Sequence, residues 1–151
     1  MTFAFSNRLT TAAPVFAMAL VMALASVPAE AGSNRVTVDQ WGRDNSAAAA
    51  QTGHRQRVSI SQRGRGNLSF NTQDGARNRV TVGQTGCNNV ADTAQGGHRN
   101  IVGVAQMGCR NDATVVQSGH RNAVGVIQTG RGNTANTTQH GNGNVVLIIQ
   151  D

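Results

Sequence analysis

The chain has 151 residues, a formal net charge of +6 and only 3% aromatic residues. So few aromatic side chains exclude a core built around large rings and argue against the base-stacking platforms of single-strand nucleic-acid binders. No nucleic-acid partner is therefore expected.

The first 31 residues are typical of a secretory signal peptide. Arg8 precedes an apolar run from Ala12 to Val27, and an A-x-A cleavage pattern ends at Ala31. A transmembrane anchor is the alternative, but about sixteen apolar residues are short against the roughly 20 that a spanning helix needs. We predict cleavage after Ala31, no membrane insertion, and an exported repeat domain over residues 32–151.

An eleven-residue repeat, Q-x-G-x-x-N followed by five residues of alternating character, fills the rest of the chain without insertion or deletion. Glutamine begins the units at Gln40, Gln51, Gln62, Gln73, Gln84, Gln95, Gln106, Gln117, Gln128, Gln139 and Gln150. Glycine follows two residues later, and a turn is predicted there, at Gly42, Gly53, Gly64, Gly75, Gly86, Gly97, Gly108, Gly119, Gly130 and Gly141. A carboxamide comes five residues after each glutamine, at Asn45, Gln56, Asn67, Asn78, Asn89, Asn100, Asn111, Asn122, Asn133 and Asn144. A fixed period of this kind indicates a repeat architecture.

Each unit is predicted to contain one short strand. The five residues after the carboxamide and the next glutamine alternate in character; for example, Val58 and Ile60 alternate with Arg57 and Ser59. Period two places one set inside and the other outside. Six strand residues and five turn residues then complete the unit, and a helix is excluded because G-x-x-N would break it in every unit.

Two units are predicted to form one coil. Seven residues after each glutamine, valine alternates with alanine or serine along the chain, as in Val80, Ala91, Val102 and Ala113, so the full repeat is twenty-two residues. We predict an all-β fold, a β-solenoid of two facing parallel sheets with 22-residue coils and about 5.5 coils in all.

The glutamines and asparagines of the repeat are predicted to form amide ladders. An unpaired buried amide costs about 1–3 kcal/mol, and stacking identical amides on successive coils lets each donate to the next. A register slip of eleven residues would preserve these ladders and only mismatch valine against alanine. Mispairing by half a coil is therefore the least costly error open to the chain.

Cys87 and Cys109 are twenty-two residues apart, which stacks them on adjacent coils within reach of a disulfide. An exported protein permits the bond, and two free thiols are the alternative. No acidic or histidine cluster accompanies the cysteines, so neither a metal site nor another cofactor is expected.

The last predicted strand contains Val145, Val146, Leu147, Ile148 and Ile149 and carries no charge or proline. An apolar edge strand of this kind invites pairing with another strand. We therefore predict that it is an assembly edge, which templates the N-terminal strands of a second copy.

The spacing of Gln106, Gly108, Asn111, Ala113 and Gln117 resembles the curlin repeat of the curli subunits, which are bacterial extracellular amyloid proteins. The resemblance implies secretion through an outer-membrane pore, assembly with itself and with a second curlin subunit into a cell-surface fibre, and roles in adhesion and biofilm matrix. A major fibre subunit and a minor, nucleating one both agree with it.

The composition and the repeat also bear on two other classes of function. A monomeric secreted solenoid that binds polyanions or surfaces through arginine-rich turns is the alternative to a fibre subunit, because the exported domain has twelve arginines, no lysine and six aspartates. An enzyme is not expected, because catalytic β-helices carry charged groups on inserted loops and this repeat has no insertion.

Overall fold

The computed structural model describes residues 33–151, so the predicted signal peptide, residues 1–31, lies outside them. Every regular element in the described range is a strand. The eleven strands are β1 (Arg35–Arg43), β2 (Ser46–His54), β3 (Arg57–Arg65), β4 (Leu68–Ala76), β5 (Arg79–Cys87), β6 (Val90–His98), β7 (Ile101–Cys109), β8 (Asp112–His120), β9 (Ala123–Arg131), β10 (Thr134–Asn142) and β11 (Val145–Gln150). Within this range there is no helix of the length and apolarity needed to cross a membrane.

The strands form two parallel sheets that alternate along the chain. One sheet has six strands in the order β1-β3-β5-β7-β9-β11, and the other has five in the order β2-β4-β6-β8-β10. Each strand pairs with the strand one coil later, so that Val58 lies beside Val80 and Gln62 beside Gln84. The predicted β-solenoid of two facing sheets with 22-residue coils is confirmed.

The core lies between the sheets and is filled by side chains of unequal size. The six-stranded sheet contributes valine and isoleucine, such as Val58 and Ile60, while the five-stranded sheet contributes mainly smaller residues, such as Ala91 and Thr93. All four side chains are at most 1% exposed. Large residues on one sheet therefore pack against small residues on the other, as the alternation in the sequence predicts.

The strands are longer than predicted. Ten of them have nine residues instead of six, and only two residues separate each strand from the next. Pairing extends through the repeated glycine, because Gly64 lies in register with Gly86. The turns are also paired between coils: the Gly66 amide donates to the Arg43 carbonyl at 3.1 Å. Successive coils follow the same path, so the turn backbone can be satisfied in the same way as the strand backbone.

Each corner contains two residues with positive φ. The first is the repeated glycine, with φ of 118° at Gly86, where an added Cβ would lie 1.9 Å from the carbonyl oxygen of Gly108. Glycine is thus required for close contact between coils as well as for the bend. The second lies two residues later and is not always glycine, since Asn88 has φ of 53° and Arg99 has φ of 61°.

Candidate functional site

The repeated glutamines lie one above another in two columns, which we call the glutamine ladders. In each column the Nε2 atom donates to the Oε1 atom of the glutamine one coil later, at 2.6–2.9 Å. One ladder contains Gln40, Gln62, Gln84, Gln106, Gln128 and Gln150, and the other contains Gln51, Gln73, Gln95, Gln117 and Gln139. All nine bonds point in the same direction along the solenoid.

The ladder of the six-stranded sheet also joins the two sheets. The Nε2 atom of Gln84 donates to the backbone carbonyl of Leu68 at 3.0 Å, and that of Gln106 donates to the carbonyl of Val90 at 2.7 Å. Both glutamines are at most 1% exposed. With both amide hydrogens bonded, these side chains avoid the cost of burying an unpaired donor.

The asparagines bond mainly to the backbone, which differs from the prediction that each donates to an identical amide. The Nδ2 atom of Asn100 donates to the carbonyls of Gly96, at 2.8 Å, and Gly119, at 3.1 Å. Its Oδ1 atom accepts from the backbone amide of Asn122 at 3.0 Å. Among the asparagines of residues 33–151, only Asn67 and Asn89 also donate to the asparagine of a neighbouring coil. The shorter side chain reaches the turn backbone more readily than a matching amide, so it holds the corner closed.

The carboxamides at the corners lie one above another, and we call them the turn column. One of its members is not an asparagine, and another was not among the predicted ladder residues. Asn34 belongs to it, because its Oδ1 atom accepts from the backbone amide of Gln56 at 3.0 Å. Its position eleven residues before Asn45 was the signal available in the sequence. Gln56 occupies an asparagine position, and its buried Oε1 atom has no hydrogen-bond partner among the described residues. The bond from the next amide, that of Asn78, is accordingly missing.

Cys87 and Cys109 form a disulfide that joins β5 to β7 on adjacent coils. Their Cα atoms are 4.6 Å apart, and the two residues lie in register in the sheet. The bond closes a loop of one coil, so it ties the chain to the twenty-two-residue register.

Among the strands that the structure describes, those at the two ends of the solenoid pair on one side only. At one end these are β1 and β2, and at the other they are β10 and β11. In β11, Val145, Leu147 and Ile149 are 76%, 65% and 67% exposed, while Val146 and Ile148 pack against the core. The predicted assembly edge thus has an exposed apolar face and an inward face.

Unpaired buried polar atoms occur next to this end. Among the described residues, the Nε2 atom of Gln139 and the hydroxyl of Thr137, both in β10, are buried without a hydrogen-bond partner. Gln139 ends its ladder as a donor, whereas Gln40 begins the other ladder and receives no glutamine donor within the described range. The two ends are therefore complementary, one with a free donor and the other with a free acceptor.

The described residues contain no group of three or more histidine, cysteine or acidic side chains arranged to hold a metal ion. The polar groups of the core are mostly paired with one another in ladders. The chemistry that the arrangement offers is strand pairing at the ends of the stack.

Comparison with known families identifies the repeat. The family model described as the curlin associated repeat matches residues 32–64, 55–86 and 108–141, which together cover more than half of the chain. No curated protein gives a match. The chain belongs to the curlin repeat family.

Proposed function

We propose that the protein is a structural subunit, major or nucleating, of an extracellular amyloid fibre of the curli type. The observation that carries the proposal is the open C-terminal end of the solenoid. Within residues 33–151, β10 and β11 have no strand partner on one side there, and Gln139 holds a buried donor with no acceptor. Another copy that placed its N-terminal strands there would continue both sheets and supply the acceptor. Repeat proteins that remain monomeric need polar caps at such ends.

Export and partners follow from the same proposal. The signal peptide would direct the chain out of the cytoplasm, an outer-membrane secretion pore would pass it to the cell surface, and a second curlin subunit would share the fibre. Adhesion and biofilm matrix are the roles that such a fibre would serve. Catalysis has no part in the proposal, because assembly needs only the repeat itself.

The test is assembly of the purified protein. We expect fibres that bind an amyloid dye, a lag phase that pre-formed fibres shorten, and diffraction with an inter-strand reflection at about 4.8 Å. Chain that stays monomeric at high concentration, with or without seeds, would contradict the proposal. If the protein forms fibres only after seeds or a second subunit are added, it is a subunit that depends on a nucleator and is not itself the nucleator.

A further inference from the structure

Four arginines occupy the same corner position on successive coils. Arg55, Arg77, Arg99 and Arg121 are each twenty-two residues apart and exposed. The corners that carry them are stacked, since the Arg99 amide donates to the Ala76 carbonyl at 3.0 Å. Their backbones therefore recur at the strand spacing of about 4.8 Å. We call this column the arginine edge.

The backbone conformation of the arginine edge does not favour arginine. All four residues lie in the left-handed region, with φ between 55° and 61°. This region suits glycine, asparagine and aspartate, and other residues lose about 1–2 kcal/mol there. At the same position on the opposite edge of the solenoid the residues are Asp44, Gly66, Asn88, Arg110 and Gly132. Conformational preference explains four of those five residues, with Arg110 as the exception, but it explains none of the four arginines in a row.

Electrostatic repulsion between the guanidinium groups also disfavours the arginine edge in the free protein. Unit charges about 4 Å apart in water repel by about 1 kcal/mol, and successive coils bring these guanidinium groups onto one edge. Arg57 and Arg79 begin strands at the same edge and add to the positive charge. Asp74 is the one carboxylate in the described turns there, residues 52–57, 74–79, 96–101, 118–123 and 140–145. The edge is thus a strip of cations with little internal compensation.

A shallow groove follows the arginine edge. It has a volume of about 580 Å³ and is lined by Arg77, Arg99 and Arg121 together with His98 and His120. The two imidazole rings are stacked, with centroids 5.1 Å apart and planes 8° from parallel. The groove therefore presents hydrogen-bond donors that repeat once per coil along the solenoid axis.

We propose that the arginine edge binds a linear acidic polysaccharide lying parallel to the solenoid axis. The planar guanidinium group pairs with a carboxylate or sulfate through two parallel hydrogen bonds. A polymer with one acid group per sugar repeats its charge at a spacing close to that of the coils. Each additional coil then adds a contact without a new association step.

The same features disfavour nucleic acid as the ligand. The turns of this edge contain no phenylalanine, tyrosine or tryptophan on which a base would stack. Phosphates of a duplex strand recur about every 3.4 Å, which does not match the coil spacing. The site is independent of the fibre proposal, because the groove is complete within one copy.

The test compares two variants that lose the same charge. Arg55, Arg77, Arg99 and Arg121 are replaced by asparagine in one, and Arg43, Arg65, Arg110 and Arg131, on the opposite edge, are replaced by asparagine in the other. Binding of polygalacturonate to the purified protein is measured at fixed ionic strength, with dextran as the uncharged control. We expect the first variant to bind at least about tenfold more weakly and the second to bind within about threefold of the wild type.

Asparagine keeps the first variant informative, because it suits the left-handed corner and should leave the urea midpoint unchanged or higher. Equal losses in the two variants would show that only net charge matters, and undiminished binding in the first would remove the site; either result overturns the proposal. Double-stranded DNA is the competitor. If it displaces polygalacturonate at a concentration of phosphate groups lower than that of the carboxylate groups present, the edge prefers nucleic acid, and this result also overturns the proposal.

Discussion

Each corner asparagine from Asn45 to Asn122 bonds three backbone groups from one short side chain. Gln56 retains two of these bonds, to the carbonyls of Thr52 and Gly75, but its own oxygen is buried without a partner in the described part of the chain. The extra methylene places Oε1 where the next backbone amide does not reach it. Residue type at this position therefore decides whether the turn column is continuous.

We predict that Gln56→Asn stabilises the protein. Asparagine would keep both donated bonds and supply an acceptor to the Asn78 amide, for a gain of about 1–2 kcal/mol. The measurement is the urea midpoint of freshly purified, unassembled chain. Asn100→Gln is the reciprocal control and should lower the midpoint by a similar amount. A midpoint that falls in Gln56→Asn would show that the unpaired oxygen is not the source of the cost.

Close contact between coils gives a second prediction at the scale of one residue. Gly86→Ala should destabilise the chain by more than about 3 kcal/mol, since backbone strain adds to the contact with the Gly108 carbonyl. Gly141→Ala is the matched control: its φ is 106°, but the nearest atom to the added Cβ is Asn144 Nδ2 at 3.5 Å. We expect a clearly smaller fall in the urea midpoint there. Equal losses would mean that φ alone accounts for the glycine column.

At the scale of strands, the disulfide selects one of two nearly equivalent pairings. A slip of eleven residues would bring Cys87 opposite His98, where no bond is possible. Removing the bond with Cys87→Ser and Cys109→Ser should cost about 3 kcal/mol, because it opens a closed loop of 22 residues in the unfolded chain. Dithiothreitol should lower the wild-type urea midpoint to that of the variant and leave the variant unchanged. A wild-type midpoint insensitive to reductant would contradict this role.

The two faces of β11 allow a test of edge pairing within one strand. Val146 and Ile148 face the core, whereas Leu147 and Ile149 face outward. Lysine at both inward positions should slow seeded fibre growth at least about tenfold, because inward charges at a sheet edge oppose further pairing. Lysine at both outward positions adds the same charge and should slow growth only about threefold or less. Equal rates for the two variants would argue against growth at this edge.

At the scale of the whole molecule, blocking one end should leave the other able to bind. A chain with lysine at Val146 and Ile148 still has intact β1 and β2, so it can join the C-terminal end of a growing fibre and then stop it. We expect substoichiometric amounts to reduce elongation of wild-type seeds in proportion to the ends capped. Inhibition that requires equimolar variant would contradict capping, and electron microscopy of fibre lengths provides the second measurement.

Most of the architecture could be predicted from the sequence because the same spacing of glutamine, glycine and carboxamide recurs in ten units. Val58 and Val80 identified the inner face and the twenty-two-residue register without any structure. The extent of the strands could not be predicted, since nothing in the residues around Gly64 signals that pairing continues through a corner. The left-handed position of Arg77 was also missed, although glycine, asparagine and aspartate at the equivalent positions on other coils were a usable signal.

The common direction of the nine glutamine bonds has an electrical consequence. Backbone bonds between turns run both ways, as the Arg35 amide donates toward later coils and the Gly66 amide toward earlier ones, so their moments largely cancel. The side-chain amides do not alternate, and aligned amides polarise one another. Each copy therefore contributes a permanent electric moment along its axis. A fibre of copies stacked head to tail would add these moments and orient in an applied field, whereas a fibre of antiparallel copies would not.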